Sequence, residues 1–462
     1  MKRATILSIF VLLAATLFAG NTGSFKLPPY SKLQLKNGMT VYLMEQHEVP
    51  LVHVITAFPA GAVKDGKKSG LANLTAEALL FGTKSFTKDQ IQESLDFLGA
   101  SYYSAAGTEV AEVGMSFAAA DTNKVLPVLK SIITEPTFDQ KEFEKRKKRM
   151  LVELVQNREV PRQVIGTYFK KFLFGDHPYG NPASGTQASV KAITLDDVKS
   201  FYRDNYKPAD AVIAIVGDFK TAAMKKKIAK LLKGWNPTGT STKVDTKAAL
   251  PAFDSNRLLL VNKGDATETQ FLIGHFGILY NNPDYIGVQV INTILGGRFT
   301  SWLMQELRVK AGLTYGARSR FITYSNAGTF YITSYTRTAK TEAAIDLALE
   351  TLDRLHSKGI DEETLTSAKN YMKGQYPPRY ETSERLANLL TDMFFYNYDE
   401  SFINDFQKNV EGLTLGKTKE LIKKYFSKDN LQFVLIGKAD AIRDTVKKYG
   451  PVTEKEIKAD EF

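Results

Sequence analysis

Two side chains in the second half of the sequence could bind a peptide carbonyl together. Arg308 and Tyr315 lie seven residues apart in the stretch 296–316. A guanidinium and a phenol are both hydrogen-bond donors, and a charged donor makes the stronger bond. The residues alone leave a second interpretation open, in which Arg308 caps the end of a helix and Tyr315 is a half-buried aromatic residue of a strand.

The same stretch predicts how the two side chains are held. Four apolar residues at helical spacing predict an amphipathic helix with one buried stripe: Phe299, Trp302, Leu303 and Leu307. Gly312 is typical of the left-handed residue that ends a helix, and the residues from 313 onward predict a strand. A helix end followed by a strand can bring Arg308 and Tyr315 to one cleft.

The composition excludes several classes of protein. The 462 residues include 61 Lys+Arg and 50 Asp+Glu, for a net charge of +11, and no cysteine. Disulfide and thiol chemistry are therefore excluded. The basic residues are scattered. The densest run, 145–149, shares a predicted helix with apolar residues, so we interpret it as a solvated face and expect no nucleic-acid partner.

Residues 1–20 have the pattern of a secretory signal peptide. Lys2 and Arg3 precede an apolar run, 6–18, and the small residues Ala19 and Gly20. The run is short for a membrane span, and no later stretch is long and apolar enough to cross a bilayer. We therefore expect an exported, periplasmic protein without a transmembrane segment after signal cleavage. The sequence leaves open whether the segment is cleaved.

Landmarks recur in the same order in the two halves of the chain. The matching pairs are Leu98-Gly99-Ala100-Ser101-Tyr102 with Ala311-Gly312-Leu313-Thr314-Tyr315, Phe138-Asp139 with Ile360-Asp361, and Val216-Gly217 with Ile436-Gly437. Between the halves, 234–252 has the polar composition of a linker, with glycine and proline. We therefore predict two duplicated α+β domains, 25–233 and 253–462, joined by that linker.

Several motifs, in this order, resemble one peptidase family. They are Ser69-Gly70-Leu71-Ala72, Phe81-Gly82-Thr83, His177-Pro178-Tyr179-Gly180, Val216-Gly217-Asp218 and the stretch with Arg308 and Tyr315. The chain resembles the pitrilysin/insulinase type of zinc metallopeptidase, in the two-domain form of mitochondrial processing peptidase subunits. The resemblance implies that each domain is a mostly antiparallel sheet packed with helices. It also implies half of a clam-shaped dimer, with the 234–252 linker as a hinge.

The zinc motif of that family, H-x-x-E-H, is degenerate here. The sequence aligns with the motif without a gap, but Asn73 replaces the first histidine, Ala76 the catalytic glutamate and Glu77 the second histidine. Glu153 matches the family's third zinc ligand. Two carboxylates without a histidine make a poor zinc site, and none of the five histidines is three or four residues from another. We expect no intact catalytic group and no bound zinc. Asn73 and Glu77 could hydrogen-bond each other instead.

The resemblance implies a role for Arg308 and Tyr315. In catalytic pairs of the family, an arginine and a tyrosine at these positions bind the substrate carbonyl beside the zinc. The chain is thus similar to a companion subunit that is inactive alone, whose homologous partner carries the zinc and whose substrate is a peptide or unfolded protein. The alternative is a pseudo-peptidase that binds peptides, or serves as a structural subunit, without proteolysis. The family also binds peptides along an exposed strand edge, which the sequence does not assign to residues.

Overall fold

The computed structural model describes residues 25–237 and 240–462. They form two six-stranded sheets with helices packed against them. The predicted signal peptide, 1–20, lies outside the described residues. In the described part of the chain, no helix combines the length and the apolar composition needed to cross a bilayer.

Each half of the chain builds one sheet. The strands of the first sheet are β1 (Ser31–Gln34), β2 (Thr40–Glu45), β3 (Leu51–Phe58), β4 (Ser101–Ala106), β5 (Ala111–Ala118) and β6 (Val212–Gly217). The strands of the second sheet are β7 (Arg257–Asn262), β8 (Glu268–Phe276), β9 (Ala317–Thr323), β10 (Gly328–Arg337), β11 (Gln432–Gly437) and β12 (Val452–Glu456).

The two sheets share one topology over five strands, although β1 pairs antiparallel with β2 whereas β12 pairs parallel with β7. Their strand orders are β1-β2-β6-β3-β5-β4 and β12-β7-β11-β8-β10-β9. In both, a parallel pair (β2 with β6, β7 with β11) is followed by three antiparallel pairings that end at an edge strand, β4 or β9. This correspondence confirms the duplicated, mostly antiparallel α+β fold.

Helices cover the sheets. Those of the first half are α1 (Leu71–Ala78), α2 (Lys88–Phe97), α3 (Thr122–Thr134), α4 (Gln140–Arg158), α5 (Pro161–Phe174), α6 (Gln187–Ala192), α7 (Leu195–Asn205) and α8 (Thr221–Leu231). Those of the second half are α9 (Tyr285–Asn292), α10 (Thr341–Ser357), α11 (Glu362–Gln375), α12 (Ser383–Phe395), α13 (Glu400–Asn404), α14 (Phe406–Glu411), α15 (Leu415–Tyr425) and α16 (Ala439–Val446). Two π-helical segments, Thr293–Gly297 and Met304–Lys310, follow α9.

One helix of each half packs on the sheet of the other half. α5 lies on β8 and β11, and α12 lies on β3 and β6. Side chains alternate between the two faces of a strand, and both faces of β6 are buried. Ile213 and Ile215 join the core of the first half, whereas Val212, Ala214 and Val216 join the core shared with the second half. The two halves are therefore interlocked.

A polar and aromatic contact also fastens the halves together. The ring of Tyr179, in the His-Pro-Tyr-Gly motif, stacks on Tyr324 with centroids 4.8 Å apart. The Tyr179 hydroxyl donates to Glu109 at 2.7 Å and accepts from the Asn326 amide at 3.1 Å. The Ser325 amide donates to the same Glu109 carboxylate at 3.1 Å. The motif thus joins the β4–β5 turn to the β9–β10 turn.

The segment 234–252 is tied to both halves. The Ser241 amide donates to Asp210 of the first half at 2.5 Å, and the Asn326 side chain of the second half donates to Thr246 at 2.8 Å. These contacts and the exchanged helices do not fit the hinge expected here. The segment connects two halves that pack as one body.

We predict that limited proteolysis cuts first within 242–249, where most residues are exposed. The two fragments should co-elute in gel filtration and separate only after unfolding, because α5 and α12 stay buried on the opposite sheets. Mass spectrometry of the first products and native gel filtration of the nicked protein test this. First cuts inside either sheet, or fragments that separate without denaturant, would contradict the interlocked fold.

Candidate functional site

Helix α1 carries the degenerate zinc motif, and a buried aspartate holds its first turn. The helix begins after Gly70, whose φ of 93° favours glycine. The Asp65 carboxylate accepts hydrogen bonds from the amides of Gly70 and Ala72, each at 2.7 Å. It thereby satisfies N–H groups that the start of a helix leaves free. Burial raises the pKa of Asp65 to about 7, although the two hydrogen bonds oppose the shift.

A guanidinium lies between the two carboxylates at zinc-ligand positions. Arg146 of α4 donates to the Glu77 carboxylate through Nε and through Nη2, the second bond being 2.9 Å long. It also donates through Nη1 to Glu153 at 2.9 Å. The hydrogen bond to Glu77 raises the pKa of Arg146. The carboxylates that would bind a metal are thus paired with a fixed cation of the same chain.

The side chains at the other two degenerate positions, Ala76 and Asn73, do not replace the lost general base and zinc ligand. Ala76 is buried, and its carbonyl accepts the Ser104 hydroxyl of β4 at 2.5 Å. Asn73 is half-buried, and the suggested bond to Glu77 is not formed because the Glu77 carboxylate turns to Arg146. In the described ranges, no three His, Cys, Asp or Glu residues are placed to hold a metal ion. The residues of this site do not fit zinc.

Arg146 is a site residue that the sequence pattern did not reveal. The run 145–149 is expected to be a solvated face, and this is wrong for Arg146, whose side chain is only 12% exposed. The available signal was spacing. Arg146 and Glu153 are seven residues apart, which places them on one face of α4.

Two of the five histidines contact other groups of the chain. The His47 nitrogens contact Asp218 at 2.6 Å and Glu45 at 3.0 Å, and these hydrogen bonds raise the pKa of His47. Nδ1 of His177 accepts the Tyr179 amide at 3.2 Å. His177 therefore hydrogen-bonds backbone.

Arg308 and Tyr315 offer hydrogen-bond donors at the surface of the second half. The Arg308 guanidinium carbon lies 4.7 Å from the centre of the Phe299 ring. Tyr315 is 81% exposed and lies two residues before β9, an edge strand of the second sheet. Among the described residues, neither the Tyr315 hydroxyl nor the Arg308 guanidinium is hydrogen-bonded to protein. Both groups are therefore available to another molecule.

The predicted buried stripe is wrong at one residue. Phe299 is 64% exposed, because helical structure begins only at residue 302, after Phe299. Leu303 and Leu307 are buried as expected, and Trp302 is half-buried. The exposed ring of Phe299 is the surface on which Arg308 packs.

The strand predicted from residue 313 begins later, at Ala317. The preceding turn is closed by Thr314, whose hydroxyl contacts both the amide and the carbonyl of Gly316 at 3.1 Å. Tyr315 is at the tip of this turn and is not a half-buried strand residue. Arg308 contacts an aromatic ring rather than the last carbonyls of its helix. Neither structural role that the sequence left open describes these side chains.

Two consecutive ranges of the chain match domains of a single family. Residues 40–187 match the domain described as "Insulinase (Peptidase family M16)", and residues 192–372 match "Peptidase M16 inactive domain". The chain belongs to the M16 peptidase family. The second range includes β6 of the first sheet and β7–β10 of the second, so it spans the boundary between the two halves.

The names of related M16 proteins describe both peptidases and non-peptidases. The chain is 25% identical to the "Non-peptidase homolog YmxG" of Helicobacter pylori over 85% of this chain and 90% of that protein. It is 22% identical to the "Zinc protease PqqE" of the same species over 91% and 96%. The crystal structure of a peptidase M16 inactive domain from Pseudomonas fluorescens matches with a TM-score of 0.82 at 26% identity, covering 88% of this chain and 98% of that one. Non-peptidase and inactive relatives support a non-catalytic M16 subunit.

We predict that restoring the family motif creates a zinc site only if Arg146 is also replaced. In the variant Asn73→His, Ala76→Glu, Glu77→His, the guanidinium stays beside Glu153 and repels a divalent cation. Adding Arg146→Leu should allow stoichiometric zinc, measured by metal analysis of protein reconstituted with zinc and freed of excess. Lys145→Leu in the same triple variant is the control, because Lys145 is exposed and lies on the same helix. Equal zinc binding by the triple variant and its Arg146→Leu derivative would contradict the role given to Arg146.

We predict that Asp65 makes stability fall as the pH rises from about 4 to about 7. Its pKa is about 7 in the folded chain and near 3.8, the ordinary value of an aspartate, when the chain is unfolded. The contribution of protonated Asp65 to the free energy of unfolding is therefore complete below pH 4 and is lost as the pH rises through 7. Its size is about 1.4 kcal/mol for each unit of difference between the two pKa values. Urea unfolding of the wild type and Asp65→Asn across this range tests the effect. If Asp65→Asn leaves the slope of unfolding free energy against pH unchanged, Asp65 does not titrate in this way.

Proposed function

We propose that this M16 chain is the exported, non-catalytic subunit of a heterodimeric zinc endopeptidase. It would contribute Arg308 and Tyr315 to substrate binding, while a homologous partner would carry the zinc. The observation that supports this most is the contrast between the two sites. The carboxylates of the degenerate motif are paired with a guanidinium of the chain. By contrast, Tyr315 is exposed, Arg308 is half-buried, and neither has a hydrogen-bond partner in the described part.

The degenerate motif of this chain does not offer the chemical groups that peptide hydrolysis requires. The family uses a glutamate as general base, and Ala76 has only a methyl group there. The two remaining carboxylates, Glu77 and Glu153, are paired with Arg146. We therefore propose that the chain binds no zinc itself and cuts no peptide by itself.

Arg308 and Tyr315 would supply the complementary part of the reaction. A phenol and a guanidinium can both donate to a substrate carbonyl and to the oxyanion it becomes, and donors fixed in advance are the effective ones. The Phe299 ring restricts the Arg308 guanidinium through a cation–π contact. Zinc in the partner would polarise the same carbonyl and activate water. Edge strand β9, two residues after Tyr315, offers free backbone groups to an extended peptide.

Two further observations support the proposed partner and the proposed compartment. Helicobacter pylori has relatives named as a zinc protease and as a non-peptidase homolog, and we propose an analogous pair in the source of this chain. The signal-peptide pattern of 1–20 supports export to the periplasm, where the substrate would be a peptide or unfolded protein.

One observation favours the alternative of a pseudo-peptidase that only binds peptides. Tyr103 of edge strand β4 and Phe97, the last residue of the preceding helix α2, are exposed, so both halves present aromatic side chains near a free edge. A chain that only held extended peptides would need such surfaces and no partner. Purification from the native source distinguishes the two functions, because the heterodimer requires a co-eluting chain with an intact H-x-x-E-H motif.

We predict that Tyr315→Phe and Arg308→Ala each lower turnover of the reconstituted heterodimer about 10²–10³-fold, the usual cost of one prearranged oxyanion donor. Arg308→Lys should rescue poorly, because an ammonium does not reproduce the guanidinium fork. Tyr371→Phe, at another exposed tyrosine, is the matched control and should have no effect.

Gel filtration must show that each variant still assembles. Unchanged turnover in both Tyr315→Phe and Arg308→Ala would refute their role in substrate binding. Loss of the dimer in either variant would mean that the residue serves assembly.

A further inference from the structure

A large cavity of the described chain lies away from both sites discussed above. It has a volume of about 1030 Å³ and opens between strands β1 and β2 of the first half and helices α9 and α13–α15 of the second. This is the upper end of the size range of small-molecule sites, about 300–1,000 Å³. The proposed peptidase function does not use it.

The floor of the cavity is aromatic and rigid. Tyr398 and Phe402 line it, with ring centroids 4.7 Å apart. Behind them, Tyr280 stacks on Tyr398 at 5.4 Å and on Tyr396 at 4.3 Å, with nearly parallel rings. On the opposite wall, Tyr42 presents its ring to the Lys32 ammonium 5.4 Å away. Aromatic faces held in this way can bind a cation.

Carboxylates at the wall are left without a cationic partner. Asp405 starts α14 but makes no side-chain cap, and no described residue pairs with it. One oxygen of Asp399 accepts the Ser401 amide and hydroxyl at 2.9 and 2.5 Å, and these bonds lower the pKa of Asp399. No cation of the described residues pairs with Asp399, so it remains an ionised acceptor.

The cations around the cavity do not neutralise these two groups. Lys417 contacts Asp284 at 3.4 Å and Glu420 at 3.2 Å, and Lys424 contacts Asp284 at 3.0 Å. The remaining cation of the lining, Lys32, faces Tyr42. A chain of net charge +11 therefore has a large cavity lined by two carboxylates without a cationic partner.

We propose that this cavity binds an organic cation, a guanidinium or primary amine on an aliphatic stem. The charged head contacts Asp405 and Asp399. The stem packs on the Phe402 and Tyr398 rings and on the Met393 side chain. A basic side chain of a peptide and a free polyamine share this chemistry, so both are tested below.

The Met393 methyl group is a reporter inside the cavity. The nine methionines can be labelled with ¹³C at the methyl carbon, and Met393→Leu identifies the signal of interest. The probes are Nα-acetyl-arginine amide, its uncharged isostere Nα-acetyl-citrulline amide, and spermidine. Titration of the full-length chain should shift the Met393 signal with the arginine amide or spermidine and much less with the citrulline amide. The tighter of the two cations identifies a peptide side chain or a free polyamine as the source.

Two variants and one control complete the experiment. Asp405→Asn removes the charge at constant volume and should weaken cation binding about tenfold or more, as expected for a charged hydrogen bond. Asn409→Phe, at an exposed position on the lining, should abolish binding by filling the cavity. Asp176→Asn, at a fully exposed carboxylate outside the lining, should change nothing.

The proposal is overturned by any of three results. They are no Met393 shift with either cation at millimolar concentration, equal affinity for the arginine and citrulline amides, or unchanged affinity in Asp405→Asn.

Discussion

The fold depends on the need to bury both faces of two apolar sheets. Neighbouring helices of the same half cover one face of each sheet, and the second face is covered by a helix of the other half. α5 places Tyr168 and Phe169 against the second sheet, in a core with Val434 and Ile436. Burying a large apolar side chain contributes about 1.5–3 kcal/mol, so uncovering these faces would be costly. The halves are consequently fixed relative to each other. Edge strands β4 and β9, and the side chains beside them, are therefore fixed as well.

This rigidity gives the Arg146 ion pairs their importance. α1 is held by Asp65 at its start and by the Ser104 hydroxyl near its end, so Glu77 cannot move away from α4 without disturbing the helix. Two carboxylates close together repel each other unless a cation lies between them. In a metallopeptidase of this family the cation is zinc, and here it is a guanidinium from α4. The site therefore keeps a cation between its carboxylates, with one positive charge in place of two, and Ala76 offers no group to activate water.

The halves, their order of elements and the degenerate motif could be predicted from the sequence, because they depend on local patterns and an ungapped alignment. Capping residues are one such local pattern: Asp139 caps α4, Gln140–Arg158, and Thr194 caps α7 through its hydroxyl. The two exchanged helices could not be predicted so easily. α5 contains β-branched, aromatic and glycine residues with low helix propensity, and its packing on the distant sheet is a tertiary contact. α12 has a recognisable N-cap, Thr382, but no local signal shows which sheet it covers.

The candidate sites show the same limit. The positions of Asn73, Ala76, Glu77 and Glu153 follow from alignment, but the pairing of both carboxylates with Arg146 joins α1 to a helix far along the chain. The exposure of Phe299 depends on where the helix begins, and element boundaries are the weakest part of sequence-based prediction. A pattern of apolar residues could not show that this ring is outside the stripe and in contact with Arg308.

The sheet edges at β4 and β9 thus differ in what they can do to a peptide. At β4, the adjoining helix offers Ala76 in place of a base, and its carboxylate is already paired with a cation. At β9, Tyr315 and Arg308 offer donors that no described residue uses. A carbonyl bound by these donors can be hydrolysed only if a base and a metal are supplied, and among the described residues the degenerate motif offers no base and no group of metal ligands. If the carbonyl is only held, no second chain is required, and the difference between a peptidase subunit and a peptide-binding protein lies entirely in the partner.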